Sequence, residues 1–290
     1  MLSVARDRPV DSLAIKILKE IDPVARALGI EYLVTGATAR DILLVGVFGL
    51  ETGRGTRDVD LAIAVDGWPQ FEAVKIRLVE TGAFEADEQV VHKLYHLPVK
   101  GRRGYPIDLV PFGGIEDPTA TIAWPPDRSI VMNVAGYREA FEAAPQVEID
   151  PGFVVRVVSL PGLAILKLFA WADRGAGDPR DAIDLAMWLR QYSAAGNEDR
   201  LYGAEIGMLE AVGHDLDLAG ARLLGQDAAR ISAPDTRARL LTLLTDGRRR
   251  EHLARSMARD IGVAEDPVAA AGKLVDQFKA GLGTISPRTP

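Results

Sequence analysis

The sequence predicts an α/β (α+β) protein with two domains, at residues 1–160 and 161–290. Short apolar runs rich in β-branched residues alternate with amphipathic stretches over the first domain, whereas only helical periodicity continues beyond it. A chain of 290 residues is also long enough for two hydrophobic cores. We therefore expect a sheet with flanking helices followed by a helical domain.

The first domain is predicted to contain helices at residues 11–28 and 69–81. Its strands are predicted at residues 32–34, 59–65, 107–110 and 153–158. Asp150-Pro151-Gly152 predicts a tight hairpin turn, because these residue types favour the backbone angles of turns. His92 and His96 lie in an alternating, strand-like run without the Glu of a zinc-protease helix, so we expect surface histidines.

The second domain is predicted to be helical. Asp178-Pro179 marks a helix start, since Asp can cap free N–H groups and Pro is tolerated at the first helical position. Further helices are predicted at residues 198–211, 216–231, 235–261 and 267–282, and residues 283–290 are predicted to fray.

Composition excludes several classes of function. The chain has no Cys, which removes thiol catalysis, thiolate zinc sites and iron-sulfur clusters. Its apolar runs are too short or too interrupted by charge for a membrane helix, and no secretory signal is evident, so we expect a soluble, cytoplasmic protein. The net charge of −7 (34 basic against 41 acidic residues) argues against a chain that coats nucleic acid throughout.

A candidate anion site follows the strand at residues 32–34. Thr35-Gly36-Ala37-Thr38 forms a small-residue turn that leads into a helical run at residues 39–44. Backbone N–H groups at such a turn can hold an anion, and Gly36 permits a phosphate to approach closely. Glycine turns between strands and helices are common, so an ordinary structural turn is the alternative interpretation.

Three aspartates are candidates for a metal site. Asp58 and Asp60 alternate at the start of the strand at residues 59–65, so their side chains share one face. Asp108 lies within another apolar strand, where an unpaired carboxylate is costly to bury. Carboxylates on neighbouring strands can bind divalent cations. A solvated strand end is the alternative for Asp58 and Asp60.

These residues, in this order, resemble the DNA polymerase beta-like nucleotidyltransferase superfamily. Its pattern is an apolar strand with a Gly-Gly or Gly-Ser turn, an Asp-x-Asp on the next strand and a third Asp on a later strand. The resemblance implies a mixed sheet flanked by helices, Asp58, Asp60 and Asp108 as catalytic metal ligands, and Mg²⁺ or Mn²⁺ as cofactor. It also implies nucleotide contacts by Gly36 and Thr38. The usual Gly-Gly or Gly-Ser turn is Gly36-Ala37-Thr38 here, so Thr38 would supply the side chain that binds phosphate.

Within that superfamily the chain looks most like the AbiEii-type nucleotidyltransferases of type IV toxin–antitoxin pairs. The resemblance continues through the helical run around Lys167 and the Arg-Asp-x-x-Asp-Leu run that contains Asp181 and Asp184. It implies that Lys167 is catalytic, that Asp184 contacts the nucleotide or positions Lys167, and that the helical domain completes the nucleotide cleft. Asp181 is the alternative to Asp184. Arg40 and Arg57 are further candidates for binding the triphosphate.

The implied activity is metal-dependent transfer of a nucleoside monophosphate from a nucleoside triphosphate to an acceptor. The toxin-like resemblance makes tRNA or another RNA the leading acceptor and an antitoxin protein a possible partner. Modification of a small-molecule antibiotic and a catalytically silent nucleotide-binding or interaction protein are the alternatives. The turn also resembles the Gly-Gly-x-x-Arg-Asp opening of CCA-adding enzymes, but their later base-reading motif is not evident here.

One segment of the chain is basic. Residues 221–260 contain nine Arg and five acidic residues, giving +4, so the remaining residues total −11. Basic helices supply phosphate contacts for RNA, but a solvated helical face explains the same pattern. The candidate RNA contacts are Arg222, Arg230, Arg237, Arg239, Arg248, Arg249, Arg250, Arg255 and Arg259.

Overall fold

The computed structural model describes residues 1–53, 55, 58–97, 104–175, 177–262 and 265–284. It divides into two compact units, an N-terminal unit (Met1–Ser159) and a C-terminal unit (Leu160–Pro290). The N-terminal unit combines sheets with helices, and the described elements of the C-terminal unit are helices. The predicted α/β (α+β) fold class is therefore confirmed.

The described part of the N-terminal unit contains short strands and four α-helices. Its strands are β1 (Leu2–Ser3), β2 (Tyr32–Thr35), β3 (Val59–Val65), β4 (Phe84–Ala86), β5 (Lys93–His96), β6 (Tyr105–Gly113), β7 (Thr121–Ala123), β8 (Val131–Asn133), β9 (Gln146–Asp150) and β10 (Phe153–Arg156). Its α-helices are α1 (Ser12–Ala27), α2 (Gly36–Arg40), α3 (Trp68–Glu80) and α4 (Tyr137–Glu142), and a π-helical segment at Asp41–Val47 directly follows α2.

The largest sheet has five strands in the order β2-β3-β6-β5-β4. Strands β3 and β6 are parallel and the other neighbours are antiparallel, which makes the sheet mixed. The pairing places Thr35 opposite Asp60, Asp60 opposite Asp108, and Asp108 opposite Lys93. Because paired residues share a face of the sheet, these four side chains form one row across it.

Alternation along β3 separates the core from the functional row. Val59, Leu61 and Ile63 are at most 2% exposed, whereas Asp60 between them is only partly buried. Helix α1 adds a buried stripe to this unit through residues such as Ile17 and Ile21. The period-two pattern of the sequence thus directs the apolar side chains inward and the carboxylate to the other face.

A second sheet has the order β1-β9-β10. Strand β9 turns into β10 as an antiparallel pair, which confirms the hairpin predicted at Asp150-Pro151-Gly152. Gly152 has φ of +74°, in the left-handed region that glycine adopts without a steric penalty. Strand β1 joins the far side of β9 in parallel. The pairing with β1 was not predicted because two residues carry no periodic signal.

The C-terminal unit contains eight described α-helices. They are α5 (Leu160–Arg174), α6 (Arg180–Gln191), α7 (Glu198–Tyr202), α8 (Ile206–Glu210), α9 (Leu216–Ile231), α10 (Pro234–Thr245), α11 (Gly247–Met257) and α12 (Pro267–Leu282). The helix predicted at residues 198–211 is divided at Gly203. The helix predicted at residues 235–261 is divided at Asp246. The backbone of Asp246 is extended, and its side chain caps α11 by accepting a hydrogen bond from the N–H of Arg249. The prediction of a frayed tail falls mainly on residues 285–290, which lie outside the described residues.

The prediction that His96 lies on the surface is wrong. The residue is 3% exposed, and its Nε2 lies 2.9 Å from Glu20 Oε2 on α1. His96 and Leu94 are the buried residues of the alternating strand β5, and the Phe84 ring packs edge-on against the imidazole, so this face of the strand is covered. In the described part of the chain, no helix combines the length and apolarity needed to cross a membrane.

Candidate active site

Gly36 brings the turn that follows β2 into close contact with strand β3. Its φ is +62°, and a Cβ at this position would lie 1.8 Å from Asp60 Oδ2. Glycine is therefore required here both for the backbone angle and for space. The sequence predicted that a phosphate approaches Gly36 closely. In the structure, the carboxylate of Asp60 approaches Gly36 closely.

Thr38 ties the same turn to the start of β3. Its Oγ1 donates a hydrogen bond of 2.9 Å to the backbone carbonyl of Asp58, and the residue is 2% exposed. Thr38 also lines a cavity of about 630 Å³ in the N-terminal unit. The threonine predicted to contact the triphosphate therefore also fixes the carbonyl of Asp58.

Two of the three predicted metal ligands lie side by side. Asp60 and Asp108 are register partners on the parallel strands β3 and β6, and Asp58 precedes Asp60 by two residues. Among the described residues, however, no group of three or more His, Asp or Glu side chains is arranged as a complete metal site. The structure thus assembles the Asp60–Asp108 pair but no closed three-carboxylate cluster.

The chemistry of this pair suits a hard divalent cation. Asp108 Oδ1 is buried and accepts no hydrogen bond from the described residues, and the carboxylate that carries it is the register partner of Asp60. The Nζ of Lys93 lies 3.4 Å from that oxygen. Carboxylate oxygens are the ligands that Mg²⁺ and Mn²⁺ prefer, so the donor set fits such an ion.

Acidic groups also surround the Tyr105 hydroxyl, at the start of β6. Burial, followed by the charges of Asp11, Asp58, Asp41 and Asp60, raises the pKa of Tyr105 to about 12. Negative charge disfavours the phenolate, so the hydroxyl stays protonated through neutral and moderately alkaline pH. The shift shows that Asp58 and Asp60 contribute to one negatively charged region of the N-terminal unit.

The arginines predicted to bind the triphosphate have different positions. Arg40 is 1% exposed, and its Nε donates a hydrogen bond of 2.7 Å to Asp41 Oδ1. It is therefore engaged in the helical segment after the turn. Arg57 lies outside the described residues. Roles of both residues in nucleotide binding stay predictions.

Among the described residues that line the cavity beside Thr38, acidic side chains outnumber basic ones. These are Asp11, Asp41 and Glu51 against Arg8. Asp11 also caps α1 by accepting hydrogen bonds from the N–H groups of the second and third residues of that helix. A ligand in this cavity therefore meets more negative than positive charge.

Lys167 forms a buried ionic cluster within the C-terminal unit. Its Nζ lies 2.9 Å from Asp181 Oδ1 and 2.9 Å from Asp184 Oδ2, which connects α5 to α6. Arg174 also donates to Asp181 through Nε at 2.7 Å. The two alternatives of the sequence, Asp181 and Asp184, thus both contact Lys167.

The charges in this cluster stabilise one another. Burial alone would lower the pKa of Lys167, but Asp184 and Asp181 outweigh it and raise the pKa. Burial would raise the pKa of Asp181, but Lys167 and Arg174 outweigh it and lower the pKa. Lys167 is therefore cationic, and Asp181 anionic, at neutral pH.

Several arginines of the basic segment are engaged in ion pairs. Arg230 contacts Asp227 and Glu205, and Arg250 contacts Asp276. Arg248 and Arg249 are exposed at the start of α11. Part of the segment's positive charge is thus used within the C-terminal unit, and Arg248 and Arg249 are the stronger candidates for contacting an external anion.

Two residues of the site were not identified from the sequence. Lys93 stands in a strand of only four residues, and its partner depends on the register of that strand against β6, which so short a run does not specify. Tyr105 lies three residues before Asp108, at the start of the strand. The alternation along β5 is one indication of the position of Lys93. The neighbouring Leu94 is buried, so the side chain of Lys93 lies on the opposite face of the strand.

Comparison with known proteins identifies the family. A family model described as nucleotidyl transferase AbiEii toxin, type IV TA system, matches residues 24–267. A search of curated proteins found no match.

Solved structures of nucleotidyltransferases show distant similarity. A crystal structure of ANT(2")-Ia in complex with adenylyl-2"-tobramycin is 17% identical with a TM-score of 0.36, covering 72% of this chain and 97% of that chain. An antigenic nucleotidyltransferase-like protein from Paracoccidioides brasiliensis is 19% identical with a TM-score of 0.39, covering 71% and 95%. A solution structure of the antibiotic-resistance factor ANT(2'')-Ia is 17% identical with a TM-score of 0.35, covering 70% and 92%.

The family assignment rests on the family model, which spans most of the chain and includes Gly36, Asp58, Asp60, Asp108 and Lys167. The protein belongs to the AbiEii nucleotidyltransferase family of type IV toxin–antitoxin systems and is a nucleotidyltransferase.

Proposed function

We propose that the protein transfers a nucleoside monophosphate from a nucleoside triphosphate to an RNA acceptor in a reaction that needs Mg²⁺ or Mn²⁺. The observation that carries the proposal is the row across the main sheet, in which Asp60 and Asp108 are register partners and Gly36 packs against Asp60. This row places two carboxylates beside the turn that follows β2.

Asp58, Asp60 and Asp108 would hold the divalent ions. Such ions, when bound, neutralise the charge that develops on the attacking and leaving oxygens during an in-line displacement at phosphorus. The side chain of Asp108 is 26% exposed and is the register partner of Asp60, so its carboxylate stands beside a second proposed ligand. We assign Asp108 to the side of the acceptor hydroxyl and Gly36 and Thr38 to the triphosphate.

Lys167 is proposed as the cation that contacts the nucleotide, and Asp184 is proposed as the residue that positions Lys167. The support within the C-terminal unit is that Lys167 is held at 2.9 Å by both Asp181 and Asp184 and stays charged at neutral pH. A fixed ammonium group can stabilise phosphate charge without the entropy cost of ordering a flexible lysine.

The proposed acceptor is tRNA or another RNA. Family membership supports this proposal, as do the exposed Arg248 and Arg249 of the C-terminal unit. An antitoxin protein is the proposed partner, since the family belongs to type IV toxin–antitoxin systems.

A small cationic acceptor, such as an aminoglycoside, is the second candidate. The cavity beside Thr38 favours it, because among the wall residues that the structure describes Asp11, Asp41 and Glu51 outnumber Arg8. Carboxylates attract ammonium groups and repel a polyanion such as RNA. The negative charge of this cavity would therefore attract a cationic acceptor and repel RNA.

Labelling with each of the four radioactive nucleoside triphosphates in the presence of Mn²⁺ tests the proposal. We expect a labelled RNA band from total RNA, and at least about a hundredfold slower labelling by Asp60→Asn and Asp108→Asn, since each removes a metal ligand. Glu85→Gln is the matched control, because this carboxylate is exposed on β4.

Other outcomes would favour the alternatives. Label on an aminoglycoside but not on RNA would replace the RNA proposal with the second candidate. Nucleotide binding without transfer to either acceptor would indicate a silent member of the family. Wild-type rates in both aspartate variants would remove the metal-site assignment.

A further inference from the structure

Lys93 lies at the end of the row that contains the proposed metal ligands. It is the first residue of β5 and the register partner of Asp108 on β6. Its Nζ lies 3.4 Å from Asp108 Oδ1, and both side chains are about a quarter exposed, at 28% and 26%. Asp108 is therefore flanked by a carboxylate on one side, Asp60, and by an ammonium group on the other.

The turn before β5 fixes the position of Lys93. The carboxylate of Asp87 accepts hydrogen bonds from the N–H groups of Gln89 and Val90 and from the hydroxyl of Tyr95. The backbone N–H of Asp87 in turn donates to the carbonyl of Lys93 at 3.0 Å. Because of these hydrogen bonds on both sides of the turn, β5 begins at Lys93. The register that pairs Lys93 with Asp108 is therefore well determined.

The electrostatics of the row explain why a cation is placed there. Asp60 and Asp108 are adjacent strand neighbours, so their negative charges repel each other. Asp108 Oδ1 is buried and has no hydrogen-bond donor among the described residues, whereas an anionic oxygen needs a donor or a cation. Lys93 supplies the positive charge at the oxygen that lacks a hydrogen bond.

We propose that Lys93 is a positioning residue for Asp108. Its ammonium group holds the Oδ1 side of the carboxylate, and it acts on the reaction only through Asp108. This inference rests on the proposed function, in which Asp108 is a metal ligand. A cation at this distance also opposes a divalent ion at the same carboxylate, so Lys93 weakens metal binding while it orders the ligand.

Two opposite effects of Lys93→Met test this role. The variant keeps the length and the apolar stem of the side chain but removes its charge. We expect Mn²⁺ to bind about fivefold more tightly, because a repelling cation is lost. We expect kcat to fall by about tenfold or more, because Asp108 loses its fixed orientation. Mn²⁺ binding is measured by electron paramagnetic resonance of the free ion, independently of turnover.

The controls separate this role from a general effect on charge or folding. Lys75→Met removes the same charge from α3, where Lys75 pairs with Glu72 and lies over the Phe71 ring, and it should leave Mn²⁺ binding and kcat unchanged. Lys93→Arg should restore both quantities toward wild type. Lys93→Gln replaces Lys93→Met if the latter does not fold, as judged by circular dichroism.

Unchanged or weaker Mn²⁺ binding in the uncharged Lys93 variants, or an unchanged kcat, would overturn the inference. Failure of the proposed function has a different signature. In that case Asp108→Asn would bind Mn²⁺ as the wild type does, so Asp108 would not be a metal ligand and Lys93 would have no ligand to position.

Discussion

Single side chains at the turn after β2 determine the geometry of the candidate site. Gly36 leaves room for the Asp60 carboxylate, and Thr38 fixes the carbonyl of Asp58 through a hydrogen bond. These contacts connect the residues predicted for the triphosphate directly to those predicted for the metal. A change in the turn is therefore expected to reach the metal ligands as well.

Gly36→Ala should abolish most nucleotidyl transfer. A Cβ at residue 36 would lie 1.8 Å from Asp60 Oδ2, so the carboxylate must move. We expect the rate of labelled nucleotide transfer to fall by at least about a hundredfold, since displacements of about 1 Å already have effects of this size. The φ of +62° should add a loss of about 1 kcal/mol in stability.

Gly29→Ala is the matched control for this variant. Gly29 has a similar φ of +65°, but a Cβ there would have no atom within 4 Å. It should lose about the same stability while keeping wild-type activity. Equal activity of the two variants would show that the position of Asp60 is not critical.

The candidate residues differ in how far the sequence could reveal them. Asp58, Asp60 and Asp108 could be found, since a charged residue in or beside an apolar strand stands out. The role of Lys93 could not, because it depends on the register of the four-residue strand β5 against β6, which places Lys93 opposite Asp108. The sequence predicted Arg40 as a candidate for binding the triphosphate, and the structure buries it beside Asp41.

At the scale of elements, Lys167 joins α5 to α6. The ammonium group contacts two carboxylates of α6, Asp181 and Asp184, which are 2% and 4% exposed. Removing one partner from a buried ionic cluster leaves charge without compensation, and this costs more than the cluster itself contributes. The packing of these two helices thus depends on the charge of Lys167.

Lys167→Met should lower the free energy of unfolding by about 3 kcal/mol at pH 7, as measured by urea denaturation. The raised pKa of Lys167 gives stability that is present below its ordinary value of 10.5 and is lost as pH rises through the raised value. The lowered pKa of Asp181 gives stability that is present above 3.8 and is lost as pH falls through the lowered value. The difference between wild type and variant should therefore shrink in acid, for example at about pH 2.

Lys273→Met is the control for this prediction, because Lys273 is exposed on α12 in the same unit. Its unfolding free energy should stay within about 0.5 kcal/mol of wild type. A Lys167→Met protein as stable as this control at pH 7 would show that the cluster does not stabilise the contact between the two helices.

Element types were more predictable than element ends. The periodicity of α9 and α12 was sufficient to place both helices at the observed residues, 216–231 and 267–282. The break between α10 and α11 was not predicted, since Asp246 is compatible with a helix in sequence and becomes a cap only through its extended backbone. Two- and three-residue strands such as β1 and β7 depend on their partners and have no pattern of their own.

On the scale of the whole molecule, the charge is unevenly distributed. The net charge is −7, yet residues 221–260 carry +4. Any RNA bound by this protein must therefore rely on a few local contacts against a repelling background. The number of these contacts can be read from the dependence of affinity on salt.

Binding of tRNA should weaken steeply with salt. With three or four phosphate contacts, log K against log salt concentration should have a slope of about −2 to −3. Replacing Arg248 and Arg249 together by Gln should make the slope shallower by about 1.5, because both side chains are exposed on α11 and two phosphate contacts are lost. Filter binding over a range of KCl concentrations measures both values.

Arg26→Gln is the control, since Arg26 is 72% exposed on α1 and pairs with Asp22 in the N-terminal unit. It should leave the slope unchanged. Absence of tRNA binding at low salt would contradict the RNA proposal, and an unchanged slope in the double variant would place the contacts elsewhere.

The pairing of β1 with β9 has a consequence for biosynthesis. Leu2 aligns with Val147, so β1 finds its ladder partner only after 145 further residues have been made. During translation the edge of β1 therefore stays unpaired until β9 has been synthesised. Ribosome-bound fragments that stop before β9 should expose this segment to proteases, whereas fragments that extend past β10 should protect it.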